Sequence, residues 1–214
     1  MSEALEAIKR TRVIAVVRLE RYDQAIEVAR ALLEGGVTAI ELTHTGSGVD
    51  AAVETLRAAL GDSAQVGVGT VLAASVASAS IDAGAQFVVT PVVRPAVVSA
   101  CRSRAVPVIC GALTPTEVLD AHDAGADMIK IFPARAISPE YLRDILAPLP
   151  MLKLVPTGGV GPENARAYLR AGAVAVGIGG NLVARDAVAR GDWRQITLAA
   201  QACIAATQED QSTS

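Results

Sequence analysis

Four segments of the chain repeat one arrangement of apolar and polar positions: LLEGGVTAIEL (32–42), IDAGAQFVVT (81–90), HDAGADMIKI (122–131) and LRAGAVAVGI (169–178). Each reads as the end of a helix, a glycine and an apolar strand. Glycine suits the turn because it enters left-handed backbone without a Cβ clash. Four further apolar runs lie between them: VIAVVR (13–18), VGVGT (66–70), VPVICG (106–111) and LKLVPTGG (152–159). Eight strands are therefore expected.

Helical patterns fill the gaps, among them 22–36, 48–61, 94–104, 114–125, 138–149 and 161–172. Thr114 before Pro115, with Glu117 three residues on, predicts a capping box, and Ser138 before Pro139 predicts a second cap. MSEALEAIKR predicts an extra N-terminal helix capped by Ser2. Strict alternation of strand and helix implies a parallel sheet, and eight units in one chain imply an α/β fold of the closed (β/α)8 TIM barrel type. An open doubly wound sheet is the structural alternative. Residues 1–214 are expected to form a single domain, with a frayed tail over 208–214.

Composition narrows the partners. The chain is 51% hydrophobic and only 3% aromatic, with a formal net charge of -3, so no basic stripe or set of stacking rings suits nucleic acid. No apolar run approaches the roughly eighteen residues of a membrane span, and the charged N-terminus lacks the apolar core of a signal peptide. A cytoplasmic protein without membrane contact is expected. Cys101, Cys110 and Cys203 are odd in number and widely spaced, which suits buried reduced thiols.

Barrels place their chemistry at the C-terminal ends of the strands, and the polar residues fall there. Strand 1 ends in Arg18 and strand 2 in Glu41, followed by His44. Strand 3 ends in Thr70, strand 4 in Thr90 and Pro91, and strand 6 carries Lys130 and Phe132. Alternation puts Met128, Lys130 and Phe132 on one face, with Ile129 and Ile131 towards the helices. It likewise puts Val37, Ala39 and Glu41 on one face, so that Glu41 and Lys130 both point into the barrel. A structural ion pair is the plain reading of these two, and a reactive pair is the functional one. The segments TGGV (157–160) and GIGGN (177–181) are glycine loops whose N–H groups suit an anion at the start of the helices that follow. Only one other histidine, His122, accompanies His44, and it falls at the opposite end, so no metal site is expected. His44 reads as a loop residue near a substrate, or simply as exposed.

A buried lysine amine can attack a ketone and form a Schiff base, whose iminium draws electrons from a neighbouring carbon bond. Burial in general disfavours the ammonium form of lysine, which in water titrates near about 10.4. Glu41 is the one good candidate for the accompanying proton transfers.

In their order and spacing, VIAVVR, AIELT, VGVGTVL, FVVTP, IKIFPA and VPTGGV resemble the 2-keto-3-deoxy-6-phosphogluconate (KDPG) aldolase family and its 6-phosphogalactonate relatives. The resemblance covers about residues 10–185. It implies a class I aldolase without a metal or other cofactor, typically a homotrimer, acting on a keto-acid sugar phosphate. Lys130 would be the Schiff-base lysine and Glu41 the general acid/base. Thr70 would bind the pyruvate carboxylate, while Pro91 and Phe132 would line the pocket. Thr157, Gly158 and Gly159 would lie along the substrate, and Gly179 and Gly180 would complete the phosphate seat. Where some members have arginine, this chain has Thr45, and Arg18 would supply the positive charge, to either the carboxylate or the phosphate. Asn181 stands where some members have serine, and its amide would donate to phosphate. The alternatives are the galactonate epimer or another 4-hydroxy-2-keto acid as substrate, a phosphate-binding epimerase or synthase barrel without Schiff-base chemistry, and a non-catalytic sugar-phosphate binder.

Overall fold

The computed structural model describes residues 2–208. Eight parallel strands form a nearly closed barrel in the order β7-β6-β5-β4-β3-β2-β1-β8. They are β1 (Val13–Val17), β2 (Ala39–Thr43), β3 (Gln65–Gly69), β4 (Val88–Val89), β5 (Val108–Ala112), β6 (Met128–Ile131), β7 (Leu154–Pro156) and β8 (Val176–Ile178). The seam between β7 and β8 is joined by the parallel bridge Thr157↔Gly177 and by the Val174 N–H donating to the Leu154 carbonyl at 3.0 Å. The closed barrel is thus the architecture adopted, rather than the open sheet.

The helices are α1 (Glu3–Thr11), α2 (Ala25–Glu34), α3 (Val49–Leu60), α4 (Ala74–Asp82) and α5 (Pro95–Ser103), followed by α6 (Pro115–Asp123), α7 (Pro139–Leu146), α8 (Ala165–Arg170), α9 (Arg185–Arg190) and α10 (Trp193–Gln208). Gln208, expected in the tail, closes α10; the rest of that expectation, 209–214, lies outside the described residues. Among the described residues no helix is long and apolar enough to cross a membrane.

The repeated glycine has a common physical cause. Gly36, Gly84, Gly125 and Gly172 have φ of 90°, 100°, 96° and 102°. The residue after each donates back to the helix: Val37 to Leu32, Ala85 to Ser80, Ala126 to Ala121 and Ala173 to Tyr168. This is the Schellman closure, in which left-handed backbone lets the last carbonyls find donors before the chain turns into a strand. A fifth closure, Val106 to Cys101 after α5, has Ala105 at φ 54° where the others have glycine. Thr114 forms the full capping box on α6 and Ser2 accepts from Leu5 N–H on α1. Ser138 precedes α7 as expected but makes no side-chain cap bond to it.

Two cores result. Alternate strand residues such as Ile129, Ile131, Ile40 and Leu42 face the helices. Val37 joins this outer core rather than the Glu41 face, because it precedes β2 and is still in the turn. The barrel interior holds Ile14, Ala39, Phe87, Ile109, Met128 and Val155, and Ala4, Leu5 and Ile8 of α1 pack into the same cluster. The extra helix therefore stops the N-terminal mouth of the barrel with aliphatic side chains. Chemistry is left to the other mouth.

Left-handed backbone costs a residue with a Cβ about 1–2 kcal/mol, whereas an added glycine costs about 0.5–1 kcal/mol in chain entropy. Ala105→Gly is accordingly expected to stabilise the protein by up to about 1 kcal/mol. Urea unfolding would show a higher midpoint at constant slope, and a lower midpoint would mean that Ala105 carries no such strain.

Candidate active site

Lys130 sits on β6, between Gly111 of β5 and Val155 of β7 in register. Glu41 sits on the opposite strand β2, between Val16 of β1 and Gly67 of β3. Their side chains are 7% and 3% exposed, and Nζ lies 3.7 Å from Oε1. The sequence reading of two charges meeting inside the barrel is therefore realised. The lysine ammonium also lies 5.3 Å from the centroid of the Phe132 ring, within the range of a cation–π contact. Glu41 Oε1 is buried and accepts no hydrogen bond. That unused acceptor stands beside the amine.

Glycine makes room for the carboxylate. A Cβ on Gly69, one interior step above Gly67 on β3, would overlap the Glu41 side chain. The following residue, Thr70, is left-handed at φ 60°, an outlier for a β-branched side chain. Such strain persists where the surroundings fix it, and it clusters at functional sites. His44 N–H donates to the Gly69 carbonyl at 2.8 Å and Val71 N–H to the Val89 carbonyl at 3.2 Å, which pins the chain on both sides of Thr70. Pro91 packs its backbone over Gly111, where a Cβ would also collide. Thr90 fixes that contact by accepting from Gly111 N–H at 3.0 Å and donating to the Val92 carbonyl at 2.8 Å. Tyr22, which sequence reasoning missed, ties the end of β2: its hydroxyl accepts from Thr43 N–H at 2.9 Å and lies 2.8 Å from the Thr43 carbonyl.

A cavity of ≈ 610 Å³ opens above Lys130, a size suited to a small molecule. Of the residues proposed from sequence, Arg18, Lys130, Phe132 and Thr157 line it, as do both glycine pairs, 158–159 and 179–180, and Asn181. Glu41 is not part of this lining but lies 3.7 Å from Lys130, which is. Thr70 and Pro91 are half-buried at the neighbouring strand ends and are not part of this lining. Thr45 bonds to Thr43 instead of reaching the cavity.

The glycine loops differ from expectation in one respect. The helices after them begin only at Ala165 and Arg185, so the glycine pairs lie in loops ahead of the helix N-termini rather than at them. Among the described residues the N–H groups of Gly159, Gly180 and Asn181 donate no hydrogen bond. The Asn181 amide, expected to face an anion, donates to the Val160 carbonyl at 3.2 Å and so ties the two loops together. Sequence reasoning also missed Arg135 and Arg185, which line the same cavity. The available signal was position: Arg135 follows the lysine strand, and Arg185 follows the last glycine loop.

The remaining reactive groups stand apart. His122 lies at the N-terminal end of β6, near Arg102 and Lys153, and is not brought to His44. The three cysteines are buried and unpaired. Burial pushes the Cys101 and Cys203 thiols up to about 11.

Comparisons with known proteins bear on the family and the fold. The sequence model of the family described as "Aldolase: KDPG and KHG aldolase" matches residues 5–199. A 2-dehydro-3-deoxy-phosphogluconate aldolase of Treponema pallidum is 36% identical over 94% of this chain and 96% of its own. A KHG/KDPG aldolase of Escherichia coli is 34% identical over 90% of both chains. The solved KDPG aldolase of Legionella pneumophila, with pyruvate captured as a covalent carbinolamine, superposes with a TM-score of 0.86 at 27% identity, covering 95% of this chain and 98% of that one.

His44, expected near the substrate or exposed, instead turns into the packing of α3 and α4. Its Nε2 lies 2.9 Å from Ser80 Oγ and 3.6 Å from Asp50 Oδ1. Ser80 donates its one proton to Asp50 at 2.6 Å, so Nε2–H must be the donor to Ser80. Burial lowers the His44 pKa, and the Asp50 carboxylate opposes it more weakly. The unfolded chain then binds the proton more readily than the folded one. The contribution of His44 is complete above about pH 6.5, the unfolded value, and is lost as pH falls through the lower folded value. Urea titrations from pH 7.5 to 5 are expected to show a steeper loss for the wild type than for His44→Gln; parallel curves would contradict this.

Proposed function

The chain belongs to the KDPG and KHG aldolase family, and from that premise we propose that it is a class I aldolase cleaving 2-keto-3-deoxy-6-phosphogluconate to pyruvate and glyceraldehyde 3-phosphate. The observation that carries the reading is the buried Lys130–Glu41 pair, 3.7 Å apart, whose lysine lines the cavity.

Lys130 Nζ adds to the C2 carbonyl of the keto acid, and the carbinolamine loses water to give an iminium. The iminium keeps the positive charge of the ammonium it replaces, so the Glu41 carboxylate and the Phe132 ring face serve both. Glu41 then accepts the C4 hydroxyl proton. The C3–C4 bond breaks, its electron pair moves into the iminium to form an enamine, and the aldehyde departs. Glu41 returns the proton to C3 of the enamine, and water hydrolyses the new iminium to pyruvate and free Lys130. The unused Oε1 acceptor and the space that Gly69 leaves for the Glu41 side chain support a carboxylate held ready for both transfers.

At the pyruvate end, Thr70 and Pro91 take the carboxylate and the methyl side, supported by their position at the ends of β3 and β4. At the other end, Thr157 and the glycine loops flank the aldehyde half, and Arg18 adds a cation to the same lining. Asn181 holds the loops together rather than the substrate. No metal or other cofactor enters any of these steps.

Borohydride reduction in the presence of pyruvate is expected to leave a stable mass adduct on Lys130, and its absence would remove the Schiff-base reading. Glu41→Gln should still trap pyruvate while turning over roughly 10²–10⁴-fold more slowly, the range of a general acid/base. Turnover at the wild-type rate would exclude Glu41 from the mechanism. A coupled pyruvate assay over phosphorylated gluconate- and galactonate-derived keto acids and 4-hydroxy-2-oxoglutarate identifies the preferred substrate.

A further inference from the structure

We propose that Arg135 and Arg185 are specificity-determining residues that select keto acids whose aldehyde half ends in a phosphate dianion; the proposal rests on the aldolase reading. Arg18, Arg135 and Arg185 all line the cavity, and among the described residues no carboxylate lines it. None of the three makes an ion pair or side-chain hydrogen bond among the described residues. Some arginines elsewhere are neutralised locally, as in Arg21–Asp23, Arg104–Asp82 and Arg143–Glu140. Asp186, next to Arg185 in sequence, is committed to Arg190 at 2.9 Å and leaves Arg185 uncompensated. With Lys130 already opposed by Glu41, the excess positive charge of the cavity sits on these guanidiniums.

Arg135 is also held in place. Ala134 N–H donates to the Thr157 carbonyl and Arg135 N–H to the Gly158 carbonyl, each at 2.8 Å. The Tyr168 hydroxyl donates to the Ala134 carbonyl at 3.0 Å. A Cβ on Gly159 would press on Arg135 Cβ, 2.7 Å away, so the absence of that side chain lets the arginine sit against the loop. Beside these cations, the free N–H groups of Gly159, Gly180 and Asn181 add uncharged donors.

A phosphate dianion offers two charges and three terminal oxygens, which match two planar guanidinium forks and several N–H groups. A carboxylate offers one charge and two oxygens. In 4-hydroxy-2-oxoglutarate the second carboxylate is attached directly to the reacting C4. The phosphate of a six-carbon substrate lies two carbons and an oxygen further out, towards the rim where Arg135 follows β6 and Arg185 opens α9.

The test measures the ratio of kcat/KM for phosphorylated over unphosphorylated 2-keto-3-deoxygluconate. Arg135→Ala and Arg185→Ala are each expected to lower the ratio about tenfold or more, the range of a hydrogen bond to a charged group. The lysine variants, which keep the charge but lose the fork, should fall between alanine and wild type. The wild-type ratio should fall with rising salt more steeply than that of the double alanine variant. An unchanged ratio, or an equal fall for both substrates, overturns the proposal. Failure of the wild type to trap pyruvate on Lys130 would instead overturn the aldolase reading. In that case titration calorimetry with inorganic phosphate at pH 8 decides the role of the arginines. Weaker binding by the double variant supports it, and equal or absent binding in both proteins overturns it.

Discussion

The placement of one amine and one carboxylate inside a barrel, at 3.7 Å and nearly out of solvent, constrains much of what surrounds them. Removing two such charges from water costs several kcal/mol per ion, and their attraction offsets this only with good geometry. The chain meets the geometric demand with small residues: Gly69 clears the space for Glu41, and Gly111, beside Lys130, clears the space for Pro91. It meets the energetic demand elsewhere. The lower half of the barrel is filled with Ile14, Phe87, Ile109, Met128 and Val155 and stopped by Leu5 and Ile8. Stability is concentrated at one mouth and chemistry at the other, as the fold allows.

Much of this was legible in the sequence where a residue type has a single physical use. The glycines at 36, 84, 125 and 172 mark helix ends because a side chain is disfavoured at those angles. The interior direction of Lys130 and Glu41 followed from a strand period of two, which survives whatever the helices do. Legibility failed where a common residue takes an uncommon role. Ala105 performs a glycine's task, and nothing in its type reveals it. His44 looked like a loop residue because its partners, Asp50 and Ser80, come from helices that only the fold brings to it.

The rim of the cavity was the least legible part for a related reason. Arginine is ordinary on any surface, and Arg135 and Arg185 are fifty positions apart in the numbering, one just after β6 and the other at the start of α9. They line one cavity only because the barrel closes, with Thr157 of the β7 loop bridging to Gly177 of β8. Closure is a property of all eight strands together. The glycine pairs line the cavity, but they are not helix starts, since turns intervene before α8 and α9.

The two ends of the cavity are built from different materials, and this has a consequence for how the chemistry is divided. Lys130 and Glu41 sit on strands whose neighbours on both sides are paired, so their separation is set by the barrel itself. Arg135 and the glycine N–H groups sit in the connections after the strands and Arg185 opens α9, all outside the sheet, in the part of a barrel where substitution disturbs packing least. A change at the rim therefore alters which aldehyde half is held without moving the amine that breaks the bond. The pair at the floor fixes the reaction class, and the unpaired charges above it fix how much of the substrate is read.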